Sequence, residues 1–192
     1  MSLAPWRSAI AYALHRNCSL VYSRYLQLAT VRADGRPANR TIVFRGFLES
    51  TNQFKFVTDV RSAKIDQIHQ QPWAEACWYF PHTREQFRIT GNLTVVTPTH
   101  PSFQLARVAQ WMELSDGARL QFVWPDPGKP RVLTPQAFTP TPPDSTQPVD
   151  NFCLLLLDPV EIDHLELRGE PQNRQIYHLD HQQQWSVQAV NP

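Results

Sequence analysis

The chain has 192 residues, 42% of them hydrophobic and 18% charged. That is one domain at roughly 150 residues per domain, with enough apolar content for a core, and bulk disorder is excluded. Lys and Arg number 18 against 17 Asp and Glu, a net charge of +1, which argues against nucleic acid or an anionic membrane as partners held by overall charge.

Other function classes drop out on composition. There are only 6 glycines and 17 prolines, where average usage gives roughly 13 and 10 in a chain of this length. Neither GxGxxG nor GxxxxGK occurs, so the glycine-rich phosphate loops are excluded. The longest apolar runs, Ala9–Leu14 and Phe152–Leu157, fall far short of the roughly 20 residues of a membrane span. Arg7 and Arg16 interrupt the N-terminal apolar pattern, unlike a signal peptide. Cys18, Cys77 and Cys153 have no paired spacing, which suits buried thiols in a reducing compartment. A cytoplasmic protein is expected. The seven histidines are scattered, GxSxG and HExxH are missing, and no metal site is expected.

In chain order, Leu3–Arg16 spaces Trp6, Ile10 and Ala13 as a short amphipathic helix. Tyr25–Val31 and Pro37–Phe47 form a strand pair around Ala33-Asp34-Gly35-Arg36, with Asp-Gly as the hairpin signal. Leu48–Asn52 is a turn and Gln53–Thr58 a third strand. Ser62–Gln71 is a short helix stopped by Pro72. Trp73–Phe80 and Glu85–Val96 pair next. A helix follows over Ser102–Leu114, and Ser115 caps a continuation to Phe122. Pro125–Pro148 is too rich in proline for regular hydrogen bonding and reads as an extended surface arm or mobile loop. Phe152–Val160, Glu161–Leu167, Arg174–Leu179 and Trp185–Val190 are strand-like. About eight strands with three or four short helices predict an antiparallel barrel with helices outside, in a single domain.

The informative block runs from Arg40 to Gly91. Ser62 and Lys64 follow a strand at a helix start, where unpaired N–H groups and the helix dipole favour an anion. Arg40 and Lys64 could both donate to a phosphate. From these residues alone, a solvated basic turn with a capping serine remains the alternative.

The order of the pieces resembles the FMN-binding core of the pyridoxamine 5′-phosphate oxidase-like flavoproteins, whose fold is a split β-barrel. The pieces are Arg40–Arg45, Phe56–Asp59, Ser62–Lys64, Gln70-Gln71-Pro72 and Glu85–Gly91. The proline-rich arm and the Trp111–Trp124 segment resemble a subgroup best known from cyanobacteria and plants. The resemblance implies that Arg40, Ser62 and Lys64 hold the FMN phosphate. It also implies that the backbone of Thr41, Ile42 and Val43, with Val57 and Thr58, borders the flavin. Arg45 joins this cofactor-binding set, and Gln86 hydrogen-bonds the flavin or its ribityl chain. Arg174 reaches FMN from the other subunit of a homodimer, with FMN at the interface.

Four departures from the family pattern stand out. Ala63 replaces an arginine, for which Arg61 is a candidate substitute. Glu85 replaces the arginine that leads R-Q-[VF]-R. Glu170-Pro171-Gln172 replaces the R-L-H segment that clamps the vitamin B6 substrate. His164 falls at the family's tryptophan near the flavin, where a packing role is the expectation. The function implied is an FMN-dependent oxidoreductase acting on a small organic substrate, with O2 or a second molecule as acceptor. The alternative is a non-catalytic module binding flavin or a related ligand.

Overall fold

Phe54, Phe56 and Thr58 are buried while Lys55, Val57 and Asp59 between them are only half-buried. This period of two, repeated along the chain, gives each strand an inner and an outer face. The structure, a computed structural model, describes residues 3–192. Among these residues eight strands form one antiparallel sheet. They are β1 (Tyr25–Val31), β2 (Pro37–Val43), β3 (Phe54–Asp59), β4 (Trp73–Phe80), β5 (Glu85–Val96), β6 (Phe152–Glu166), β7 (Asn173–Leu179) and β8 (Trp185–Val190). Four short helices accompany them: α1 (Arg7–Arg16), α2 (Lys64–Gln70), α3 (Gln104–Met112) and α4 (Asp116–Leu120). None is long and apolar enough to cross a membrane.

The sheet order is β2-β1-β4-β5-β6-β7-β8, with β3 also on β6. The first half of β6 pairs with β3, from Phe152↔Asp59 to Leu157↔Phe54, and its second half pairs with β7. The same edge of β6 therefore serves two strands in turn, and the barrel splits there. Closure comes from the segment after β2. Arg45 N donates to Lys55 O at 2.9 Å, Lys55 N donates to Gly46 O at 2.8 Å, and Phe47 bridges Phe54. Gly46, at φ 104°, makes the corner. Inside, Trp6 stacks on Phe54 with centroids 5.4 Å apart and meets Trp185 edge-on at 5.6 Å, so α1 covers one end of the core.

Several expected boundaries shift. The strand expected over Pro37–Phe47 ends at Val43, because the chain then turns from β1 to β3. The helix expected from Leu3 begins at Arg7, and that expected from Ser62 begins at Lys64. Ser115 caps α4 as expected, accepting from Ala118 N at 3.3 Å. The two strands expected over Phe152–Val160 and Glu161–Leu167 are one, β6. Pro159 breaks the hydrogen-bonding pattern without ending the strand, because Val160 is bulged: Gly91 pairs Pro159 while Thr90 pairs Glu161. The run Phe152–Leu157 is buried on both faces. Its outer side is covered by α3 and the chain around it, through clusters containing Trp111, Leu114 and Phe122 on Phe152 and Ala106 on Leu154 and Leu156.

The bulge explains Gly91. A Cβ there would lie 2.1 Å from the Asp158 carbonyl oxygen, which is backbone and cannot swing away. Gly91→Ala is therefore expected to destabilise the fold by about 3 kcal/mol or more, the upper range for overpacking. Gly117→Ala on α4, where an added Cβ meets nothing within 4 Å, should be neutral or slightly stabilising. Denaturant unfolding of both variants checks the contrast.

Candidate functional site

Arg40 sits mid-strand on β2 and is half-buried. Its Nη1 donates to Leu28 O at 3.1 Å and Thr30 Oγ1 at 2.6 Å, and its Nη2 to Gln67 Oε1 at 3.0 Å. Gln67 is brought in by α2 and also accepts from Thr30 Oγ1 at 2.6 Å. The guanidinium is thereby oriented from the protein side. Of its five N–H groups, the Nε–H and one Nη2–H have no partner among the described residues. Burial, then the charge of Arg32, lowers the Arg40 pKa.

Lys64 opens α2, directly after the turn from β3. Its Nζ donates to Thr58 Oγ1 at 2.8 Å and to Ser62 Oγ at 2.6 Å, leaving one of three ammonium hydrogens. Burial, and next the charge of Arg40, lowers its pKa to about 8, against the opposing pull of Asp59. The helix dipole contributes little, since α2 is only seven residues long and carries Asp66 in its first turn. The anion-attracting field comes from the side chains.

Arg61 does not replace the arginine missing at Ala63. Its Nε and Nη2 hold the Asp59 carboxylate at 2.9 and 2.7 Å, while Nη1 holds Asp126 at 2.8 Å and the Trp124 carbonyl at 3.0 Å. These bonds and charges raise its pKa, with Asp59 foremost. The guanidinium is fully engaged. Burial pushes the nearby Cys153 thiol up to about 11, so it is no nucleophile.

Arg40, Thr41, Ile42, Val43, Arg45, Val57, Thr58 and Lys64 line one cleft of about 910 Å³. Ser62 stands behind Lys64 and outside that lining. The far wall is built by residues the sequence did not mark: Leu114, Ala118 and Phe122, then Trp124, Lys129, Arg131 and Phe138. The segment expected as a surface arm thus runs along the cleft as a strap. A single 3-10 turn, Pro135–Phe138, interrupts it. The aromatic residues flanking the prolines carried that signal: Trp124 meets Phe138 edge-on at 5.9 Å, and Trp111 Nε1 ties back to Asp144 O at 2.8 Å.

Gln86 and Arg174 are not in this cleft. Both lie on the outer face of β5–β6–β7, where Gln86 pairs Leu165 and Leu165 pairs Arg174. Arg174 is bidentate to Asp163, at 3.0 and 2.8 Å, and Arg88 also binds Asp163. Burial raises the Asp163 pKa, but these two arginines outweigh it and hold the carboxyl below its usual range. His164 faces inward. It stacks on Phe87 at 4.1 Å and bonds Glu85 Oε2 at 2.9 Å, a packing role. Glu85, His164 and Glu166 bring ligand-type atoms within 4.8 Å of one another. Arg16 and Arg168 line the same hollow as the two carboxylates.

The family described as pyridoxamine 5′-phosphate oxidase, FMN-binding domain, matches residues 3–97. A protein of Arabidopsis thaliana named pyridoxine/pyridoxamine 5′-phosphate oxidase 2 is 36% identical, over 99% of this chain and 98% of its own length. The chain belongs to this family. A crystal structure of a pyridoxamine 5′-phosphate oxidase-related, FMN binding protein from Nostoc punctiforme matches with a TM-score of 0.98 and 70% identity, over 100% of both chains. PhzG from Burkholderia lata, at 18% identity and a TM-score of 0.78 over 100% of this chain and 94% of its own, shares the fold. The fold is the split barrel of the pyridoxamine 5′-phosphate oxidase-like proteins, and the cofactor is FMN.

The cleft fits that cofactor. Arg40 and Lys64 offer spare N–H groups to a phosphate, and Ile42, Val43 and Val57 offer an apolar wall to a planar ring. Arg45 Nε and Trp124 Nε1 are buried with no partner among the described residues, and both residues line the cleft.

Lys64 sets a pH dependence with opposite signs for binding and folding. Its ammonium is present below about pH 8, and the phosphate is a dianion above about pH 6, so FMN affinity should peak between these values and fall as pH rises through 8. Apoprotein stability should instead rise from about pH 8 to the unfolded lysine value near 10.4, because the unfolded chain then binds the extra proton. Lys64→Ala should weaken FMN by about 1.5–3 kcal/mol at pH 7 and abolish the alkaline limb. Calorimetric titration across pH checks it.

Proposed function

We propose that the chain is a single-domain, cytoplasmic, homodimeric FMN-dependent oxidoreductase acting on a small organic substrate. The observation that carries this reading is the corner where Arg40 and Lys64 meet beside the cleft, each oriented by the protein and each with N–H groups to spare. Arg40 and Lys64, with Ser62 behind the lysine, take the phosphate of FMN. Thr41, Ile42, Val43, Arg45, Val57 and Thr58 border the rest of the molecule. When bound, FMN supplies acceptance of a hydride or two electrons through its ring, with O2 or a second molecule as the final acceptor.

Gln86 and Arg174 support the dimer. In the resembled family both reach FMN, yet here both stand on the outer face of the sheet, away from their own chain's cleft. A partner's cleft brings them to a cofactor. The same face carries Tyr79, next to Gln86 and 46% exposed, an aromatic that subunit contact would cover.

Vitamin B6 phosphates are poor substrates in this reading. Glu170 stands in the segment where the family places an arginine, and a like charge at about 5 Å from a phosphate costs about 3 kcal/mol at an effective dielectric of about 20. Arg84 and Arg168 line the same hollow and reduce that penalty. Anaerobic mixing of the FMN-loaded protein with reduced nicotinamides and with pyridoxine and pyridoxamine 5′-phosphates tests the proposal. A nicotinamide donor should bleach the flavin, air should restore its colour, and efficiency on the B6 phosphates should lie below about 10⁴ M⁻¹s⁻¹. A flavin that only dithionite reduces identifies a non-catalytic binding module. Efficiency above that value refutes the Glu170 argument.

A further inference from the structure

We infer that Trp124, on the strap, is a further cofactor-contacting residue whose indole N–H donates to the ribityl phosphate tail of FMN, and that Arg61 is the residue that positions it. The inference rests on the FMN reading above and adds to it a donor from the opposite wall of the cleft.

Four indole N–H groups of the chain can be compared. Trp78 Nε1 donates to Ser23 O at 3.0 Å and Trp111 Nε1 to Asp144 O at 2.8 Å. Trp6 and Trp124 have buried Nε1 atoms with no partner among the described residues. Their surroundings differ. Trp6 is enclosed by the rings of Phe47, Phe54 and Trp185 in the barrel core, where no ligand can reach it. Trp124 lines the cleft together with Thr58, Asp59 and Lys64. Indole nitrogen is a donor only, so its partner must be an acceptor. The tail of FMN, held at Lys64, consists of hydroxyl and phosphate oxygens.

The position of Trp124 is set with more contacts than a surface strap needs. Arg61 lies in the turn that also carries Ser62 and Lys64. Its guanidinium bonds the carbonyls of Trp124 at 3.0 Å and Phe122 at 3.3 Å, and the carboxylates of Asp59 and Asp126. Asn151 Nδ2 bonds the Phe122 carbonyl again at 3.0 Å. The indole packs edge-on against Phe138. The strap is thus registered to the phosphate corner through a residue three places from Lys64, which also holds the Asp59 carboxylate beside that lysine.

Trp124→Phe keeps the ring and removes the donor. It should weaken FMN about tenfold while leaving the thermal midpoint of the apoprotein unchanged. Arg61→Ala, which also releases the Asp59 carboxylate beside Lys64, should weaken FMN at least as much, and adding Trp124→Phe to it should cost less than about twofold more, the non-additivity of residues that share one contact. A readout without substitution is the indole ¹⁵N–¹H resonance of Trp124. It should shift and exchange more slowly with water when the wild-type protein is saturated with FMN, while that of Trp6 stays in place. FMN affinity of Trp124→Phe within about twofold of wild type, or a Trp124 resonance that FMN leaves unmoved, overturns the inference and leaves the FMN reading standing. Wild-type protein that binds no FMN overturns both.

Discussion

Two cations placed together without a carboxylate of their own are the constraint on which the site depends. Burial depresses the pKa of both Arg40 and Lys64, and the charge of Arg40 lowers Lys64 further. Asp59 is the carboxylate whose charge Lys64 feels, but both its oxygens are held by Arg61. Arg61 therefore keeps the corner receptive to an outside anion by occupying the internal one. Thr30 and Gln67 steer Arg40, and Thr58 and Ser62 steer Lys64. The residual repulsion between the two cations is what a phosphate dianion relieves.

The split of the barrel brings this corner about. β6 gives its edge to β3 first and to β7 afterwards, and the exchange occurs where Val160 bulges opposite Gly91. The first half of β6 sets β3, and with it Thr58, Asp59 and the turn carrying Arg61, Ser62 and Lys64. The second half carries β7, and with it Arg174, away on the outer face. One strand thus positions two groups of residues apart within the chain, the placement on which the proposed second subunit rests.

Much of this was legible in the sequence, for identifiable reasons. The strands with clean alternation, such as Phe54–Asp59 and Trp73–Phe80, lie within a residue of expectation because one face is buried and the other is not. Arg40 and Lys64, singled out because a motif combines residue type and spacing, do line one cleft. The division of one strand into Phe152–Val160 and Glu161–Leu167 falls at the Val160 bulge, an irregularity the chain passes through without ending the strand. Phe152–Leu157 hid its neighbours: a run buried on both faces does not say what covers it. The strap was read as a surface arm because its prolines exclude regular hydrogen bonding, and that argument is silent about side-chain packing. Trp124 and Phe138 line the cleft from a segment whose one regular element is a single 3-10 turn, too short to announce them. The role of Arg61 depended on Asp126, 65 residues away, a contact no local pattern contains.

The measurement that bears most directly on this account is a paired titration of the apoprotein with FMN and with riboflavin, which differ only in the phosphate. If Arg40 and Lys64 form the phosphate corner, FMN binds at least about a hundredfold more tightly at pH 7, the worth of two charge-assisted contacts at the low end of their range. Equal affinity for the two flavins would contradict the account, because the cations would then be serving the fold and not a phosphate.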